Sequence, residues 1–396
     1  MSALRLAWAY LAARPLATAL NATVLALGVG TMVVLTLFTH EAERRLERDA
    51  GPVDLVVGAK GSPLQLILSA VLQADVPTGN IPYAEARKLA ASPMIASAVP
   101  VSLGDSFRGY RIVGTEPAYL EMYAARLADG RVFENPMEAV IGAAVASRTG
   151  LAPGAQFVGN HGLAAMGPAH EGHPYHVVGV LAPTGSVIDR LVLTPLESVW
   201  DVHDEHRPVA ASKDEDDREI TALLVKYRTP LAAALLPRHV NATTSMQAAS
   251  PAYETARLMN LVGVGVDAMR VFAIVLMATA AVSMFAALMS ALQERRYDLA
   301  LLRMLGARPS SLVALLAAEG VTLVVAGVIL GLLLGHSAAE VLGRWIARTG
   351  SWTITGFAWE PDEGWIALAV LAAGAATCLI PALQAYRRDP ALLLKR

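Results

Sequence analysis

Six of the nine histidines lie between residues 161 and 206: His161, His170, His173, His176, His203 and His206. His173 and His176, like His203 and His206, are three residues apart, with Glu171, Asp204 and Glu205 beside them. Imidazole nitrogens and carboxylate oxygens together could hold Zn²⁺ or a similar ion, which makes His170, His173, His176, His203 and His206 a candidate metal set. Against this, His176 falls in a run that reads as a strand and the others in loops, so the spacing need not converge. A solvated edge of a variable lobe is the plainer reading. The single cysteine, Cys378, rules out an intramolecular disulfide and any multi-Cys zinc site. No G-x-x-x-x-G-K-[ST], G-x-S-x-G or H-E-x-x-H pattern occurs, and Gly58–Ser62 (GAKGS) lacks the Lys-Ser/Thr ending of a phosphate loop. The chain therefore reads as non-enzymatic, with no catalytic residue or cofactor of its own. If ATP and Mg are used, a partner must bind them.

A different chemistry resides in Gln293–Leu312, QERRYDLALLRMLGARPSSL. Leu299, Ala300, Leu302, Met304 and Leu305 supply an apolar side, and Glu294, Arg295, Arg296, Asp298 and Arg303 a polar one. Gly306 fits the position after a helix end, and Pro309 blocks continuation. Taken alone, this is an amphipathic helix suited to lipid headgroups, with Arg295, Arg296 and Arg303 able to meet anionic lipid. Just beyond it stands Glu319, the sole acid inside an apolar run; such acids are rare and often functional. A hydrogen bond to a neighbouring helix is its favoured use, because a proton relay would need a second intramembrane acid. Gly327, Gly331 and Gly335 then recur every fourth residue, leaving one helix face open to close approach within the chain or across a dimer.

These residues need elements to hold them, and the composition says which. Of 396 residues, 55% are hydrophobic and 17% charged, against about 25% charged in soluble domains. Mean hydropathy is +0.46. This argues against a soluble enzyme and against disorder, and the net charge of −2 gives no reason to expect nucleic acid. Four runs approach or exceed the roughly 20 apolar residues that cross a bilayer: 15–39, 268–292, 311–336 and 364–384. Residues 1–14 carry a short interfacial helix. The first run is longer than a signal-peptide core and lacks a convincing cleavage site, so it reads as an uncleaved anchor.

Lys and Arg set the orientation. Segments 1–14, 291–310 and 384–396 hold 10 of the 32 basic residues in 47 positions, whereas 40–267 holds 19 in 228. Both termini, the tail 385–396 and the segment 293–310 therefore belong in the cytoplasm. The region 40–267 and the short acidic loop 337–363 belong outside. Region 40–267 is too long and charged for a loop and reads as an α+β domain. RGYRIVG, HPYHVVGVLAPTG, RLVLTPLESVW and ITALLVKYR read as strands, EPAYLEMYAARLADG as a helix stopped by Gly130, and EAVIGAAVASRTG as strand then helix. HEAERRLERDA and PAYETARLMNLVGVGVDAMR read as charged helices that extend the first two spans outward as a stalk.

The whole pattern resembles the FtsX/MacB family of ABC-transporter permeases. The match to E-R-R-x-x-[IL]-[AG]-x-L-[RK]-x-[LM]-G-A is carried by Glu294, Arg295, Arg296, Leu299, Ala300, Leu302, Arg303, Leu305, Gly306 and Ala307. Glu319 and Gly320, with the glycines that follow, match an acid and Gly-rich stretch. Pro381, Ala382, Ala385, Pro390 and Leu394–Lys395 match a closing tail. RIVGTEPAYLEMYAARLADGRVF and EAVIGAAVASRTGLAPGAQF are similar to external domains of MacB-like and lipoprotein-releasing permeases. The resemblance implies a four-helix bacterial inner-membrane permease whose periplasmic domain has a porter-like part and an inserted lobe at about 105–210. It implies a second permease, a homodimer being the expectation, and a cytoplasmic ABC ATPase that binds ATP and Mg. Glu294, Arg295, Arg296, Leu299, Leu302, Arg303, Leu305 and Gly306 would dock on that ATPase. Membrane lipid and a periplasmic or outer-membrane component are further implied partners. An FtsX-like signalling scaffold and a metal-related system built on the histidine lobe are the alternatives. The segment 56–82 has no assigned role.

Overall fold

The computed structural model describes residues 3–162, 172–204, 218–294, 309–348 and 354–387. The chain divides into two compact units, Met1–Ala42 with Leu261–Arg396, and Glu43–Asn260.

In the first unit, α1 (Ala3–Ala13) is followed by α2 (Pro15–Ala50), which opens on a proline whose missing N–H costs nothing at a helix start. Helix α2 supplies residues to both units, as does α9 (Pro251–Glu294); α10 (Pro309–Arg348) and α11 (Pro361–Arg387) complete the first. These four helices, α2, α9, α10 and α11, are long and apolar enough to cross a membrane. Val29, Val33, Met284, Val324, Val328 and Cys378 pack inside the bundle. Leu27, Ile274, Val282, Leu333 and Leu368 stay exposed on its outside. So much aliphatic surface facing outward suits hydrocarbon and not water.

The second unit is built on a mixed sheet. Its strands are β1 (Leu55–Ala59), β3 (Ile95–Phe107), β4 (Tyr110–Thr115), β5 (Leu127–Gly130), β6 (Glu138–Ile141), β7 (Gln156–Phe157), β8 (Asn160–His161), β9 (Tyr175–Leu181), β10 (Leu191–Pro195), β12 (Ala222–Tyr227) and β13 (Met246–Ala249). They run β13-β1-β12-β3-β4-β10-β6-β9-β5, with β7 beside β9 and β8 beside β3. The pairs β4–β10 and β6–β9 are parallel. Strands β2 (Ile81–Pro82) and β11 (Glu219–Ile220) form a separate pair.

Period-two alternation explains why both faces of the sheet are buried. Val56 and Leu224 face one core with Leu66 and Ile67 of α3 (Pro63–Ala70). Their neighbours Leu55, Val57, Leu223 and Val225 face the other core with Leu236 and Val240 of α8 (Pro230–Thr243). A smaller cluster of Ile112, Ile141, Phe157, Tyr175, Val177 and Val192 lies farther along the sheet. Strand β3 is common ground: it pairs β12 from Ile95 to Val101 and β4 from Val101 to Phe107, with Val101 opposite both Ala222 and Thr115.

Two segments differ from the sequence reading. EPAYLEMYAARLADG forms only a short helix, α5 (Ala118–Met122); Ala124 takes φ 48°, and Leu127–Gly130 becomes a strand on β9. Burial of Tyr119, Leu120 and Tyr123 overrides good helix formers here. After β10, Leu196–Asp204 is helix α7 and not a second strand. Ser198 is fully buried in this helix and bonds to Thr194 Oγ1 at 2.8 Å. The remaining helices are α4 (Tyr83–Ala90) and α6 (Ala143–Thr149), the latter closed by Gly150 at φ 72°.

Candidate functional site

Within the unit Glu43–Asn260, the end of α2 is held by buried contacts. The last two turns of α2, Glu43–Ala50, are charged along most of their length, yet Asp49 is only 3% exposed. Its carboxylate lies 3.7 Å from Arg45 Nε one turn earlier and 3.7 Å from Arg190 Nη2 beyond β9. Tyr123 Oη–H donates to the Asp49 carbonyl oxygen at 3.0 Å. Tyr119, fully buried, packs its ring 5.1 Å from that of Tyr123. Burial pushes both phenols well above their ordinary range, so they remain neutral donors at any physiological pH. The arrangement contains no nucleophile paired with a base. It is a clamp: a buried carboxylate between two guanidinium groups, with two aromatic rings fixing the helix end.

Beside the clamp, the end of α2 and the start of α9 border a groove of about 590 Å³. Leu46, Glu47 and Ala50 form one wall, Thr255, Ala256 and Met259 the other, and Val53 and Tyr227 are also in its lining. Within this unit the end of α2 and the start of α9 are thus separated by open space along part of their length.

The segment 56–82, left without a role by sequence, is held by a second buried cation. Arg111 on β4, 5% exposed, donates to Ser69 O at 3.1 Å, Gln73 Oε1 at 3.3 Å and Asp75 O at 2.7 Å. Burial lowers its guanidinium to about 10, with nearby Asp75 opposing the shift, so it stays charged at neutral pH. The loop after α3 is thereby tied beneath the sheet. Neither Asp49 nor Arg111 stood out in sequence, because each takes its role from residues remote in the chain.

In the bundle, Gly327, Gly331 and Gly335 face α2. A Cβ on Gly327 would come 2.6 Å from Leu25 Cδ2, on Gly331 2.6 Å from Val29 Cβ, and on Gly335 2.7 Å from Val33 Cβ. Glu319 is buried on the same helix. Glu294 ends α9, exposed, and pairs with Arg14. Arg295, Arg296, Leu299, Leu302, Arg303, Leu305 and Gly306 lie outside the described residues.

The candidate metal set is described only in part. His170 and His206 lie outside the described residues, and His203 is placed only as part of α7. His176 is exposed on β9, and His161 lies 3.4 Å from Asp105. Among the described residues no group of three or more His, Cys, Asp or Glu could hold a metal ion.

Near His176, Glu138 accepts both arms of Arg131, at 2.8 and 2.5 Å, and the N–H groups of Glu134 and Asn135 at 2.8 and 3.3 Å. The Arg131 hydrogen bonds hold its carboxyl far below the usual range. A carboxyl lowered on folding contributes fully above the ordinary glutamate value of about 4.3 and loses that contribution as pH falls through the folded value. The difference in unfolding midpoint between wild type and Glu138→Gln is therefore expected to be constant near neutrality and to shrink below pH ~4. A difference independent of pH down to the acid limb would count against this carboxylate.

The model of the MacB-like periplasmic core domain matches residues 18–250, and that of the FtsX-like permease C-terminal region matches 270–389. Among solved structures, the periplasmic region of MacB from Actinobacillus actinomycetemcomitans is 14% identical, covering 54% of this chain and 96% of that one at a TM-score of 0.35. The extracellular domain of the noncanonic ABC-type transporter YknZ from Gram-positive bacteria is 13% identical, covering 49% and 98% at a TM-score of 0.30. No curated protein matches the chain.

Proposed function

The chain belongs to the FtsX/MacB-like family of ABC-transporter permeases, and from that premise we propose that it is a lever worked by a separate ATPase. In this reading a cytoplasmic ABC ATPase binds ATP and Mg, and the segment 293–310 docks on it. The resulting displacement travels along α2 and α9 to the external domain, which exports or extracts cargo on the periplasmic side of a bacterial inner membrane. A second permease chain completes the assembly.

The observation that carries this reading is helix length. At 1.5 Å per residue, the 36 residues of α2 and the 44 of α9 extend about 54 and 66 Å, where a hydrocarbon core needs about 30 Å. A helix of that length is stiff enough to carry a push well past the bilayer surface. Among the described residues, the buried polar side chains of α2 and α10 within the bundle are Asn21, Thr36 and Glu319, too few to build a hydrophilic path.

The test is stimulation of the partner ATPase by the chain in reconstituted membranes. The combined Arg295→Glu, Arg296→Glu and Leu302→Asp variant is expected to lose stimulation by roughly tenfold or more, as removal of a contact cluster worth a few kcal/mol requires. Insertion into the membrane should be unchanged. Full stimulation by the variant would overturn the coupling role.

A further inference from the structure

Within the bundle, a cavity of about 290 Å³ opens among all four long helices. Leu25, Met277, Ala281, Leu323, Val370 and Ala373 are among its walls. Of the described residues that line it, Asn21 alone carries a polar side chain. Asn21 is 5% exposed, and its Oδ1 has no hydrogen-bond partner. A buried amide oxygen without a donor is unusual in a native interior and calls for an explanation. A smaller cavity of about 50 Å³ shares Asn21, Met284 and Leu323 with the first and continues past Thr18 and Glu319 to Arg14 at the start of α2. Asn21 is common to both, so an unused acceptor stands between an apolar cavity and one lined in part by polar side chains.

The occupant follows from these properties. An apolar cavity of this kind does not hold water stably, because water needs two or more polar partners. A helix, about 10 Å across, is too wide to enter. Ile274, one of the lining residues, is 52% exposed, and the same helices carry other exposed aliphatic side chains such as Leu20, Leu27 and Leu368, so the surrounding medium is itself hydrocarbon. We propose that this cavity binds one amphiphile, an aliphatic chain inserted between α2, α9, α10 and α11 with a hydroxyl or ammonium donor at its polar end bonded to Asn21 Oδ1. A chain without such a donor leaves the acceptor orphaned and binds less well. The same chemistry is supplied by a bilayer phospholipid whose head group carries the donor or by a free single-chain amphiphile.

The test uses the full chain in nanodiscs of dioleoylphosphatidylcholine, whose head group has no hydrogen-bond donor, with 1-dodecanol and dodecyl methyl ether as paired probes. Native mass spectrometry counts the bound probe. One dodecanol per chain is expected, favoured over the ether by roughly tenfold, the ratio that one hydrogen bond to a buried acceptor supports. Asn21→Leu should retain chain binding and abolish the preference. Ala281→Trp should fill the cavity and remove both probes; where that variant fails to fold, the loss of preference in Asn21→Leu decides. Equal binding of alcohol and ether by wild type, or a preference that survives Asn21→Leu, would overturn the proposal. The mass of whatever the chain retains when purified from native membranes distinguishes the sources: a phospholipid mass assigns the bilayer lipid, a single-chain mass the free amphiphile. A chain that carries neither, and admits neither probe, refutes the site.

Discussion

Gly331→Leu is expected to abolish assembly of the membrane bundle. Gly327, Gly331 and Gly335 form one i, i+4, i+8 ridge on α10, and Leu25, Val29 and Val33 form the matching ridge on α2. At Gly331 even a Cβ would sit 2.6 Å from Val29 Cβ and 3.0 Å from the Ala26 carbonyl oxygen. One of those obstacles is backbone, so no rotamer change relieves it. A leucine must separate the two helices over several turns, and the packing that holds them in lipid is short-range. Overpacking of this kind costs about 1–3 kcal/mol for each added group of methylenes, and here the neighbouring glycine contacts fail with it. The measurement is the folded fraction in membranes, by resistance to proteolysis between α2 and α10. Gly331→Ala should show a smaller loss, because the clash is limited to one carbon. A fully folded Gly331→Leu would mean that the two helices do not meet at this face.

The second large effect is expected at Asp49. Asp49→Leu leaves Arg45 and Arg190 facing one another without the carboxylate between them. Breaking a buried pair by removing one member costs about 3–5 kcal/mol. The lower end applies here, because Arg190 keeps 23% side-chain exposure and the approaches are 3.7 Å. Urea unfolding of the 43–260 segment should report the loss. Adding Arg190→Leu to the first change should restore part of the stability, since it removes one of the two charges left unpaired. Additive losses in the double variant would show that Asp49 and Arg190 are not coupled.

The membrane helices were legible from sequence because a bilayer imposes a length and an apolar character on contiguous residues. Their extensions were legible too: HEAERRLERDA keeps helical propensity after the apolar run ends, and α2 continues to Ala50. The clamp was not. Asp49 is one acid among several in that segment, and only folding brings Arg190 and Tyr123 to it. The strand reading runs the alternation of Leu191–Pro195 on too far: Leu196, Val199 and Trp200 stand at i, i+3 and i+4, the spacing of one helix face, and all three are buried in α7. The glycine spacing pointed to a close helix contact but not to its partner, which the Leu25–Val29–Val33 row identifies as α2. The histidine spacing suggested a metal by composition, and spacing along the chain says nothing about convergence across loops.

Strand β3 runs on from its pairing with β12 to its pairing with β4; at Val101 it is flanked by Ala222 on one side and Thr115 on the other, and the β4 ladder shifts register between Leu103 and Asp105. A strand shared by two ladders leaves no loop at that point to act as a hinge. Opening the unit Glu43–Asn260 like a clamshell there would break the ladder at Val101, whose carbonyl oxygen accepts from Thr221 N–H at 2.9 Å, and such a bond is costly to leave unmade in a buried sheet. Under the proposed lever, the unit then tilts as one plate, and any grip arises where that plate meets another body and not from jaws within it.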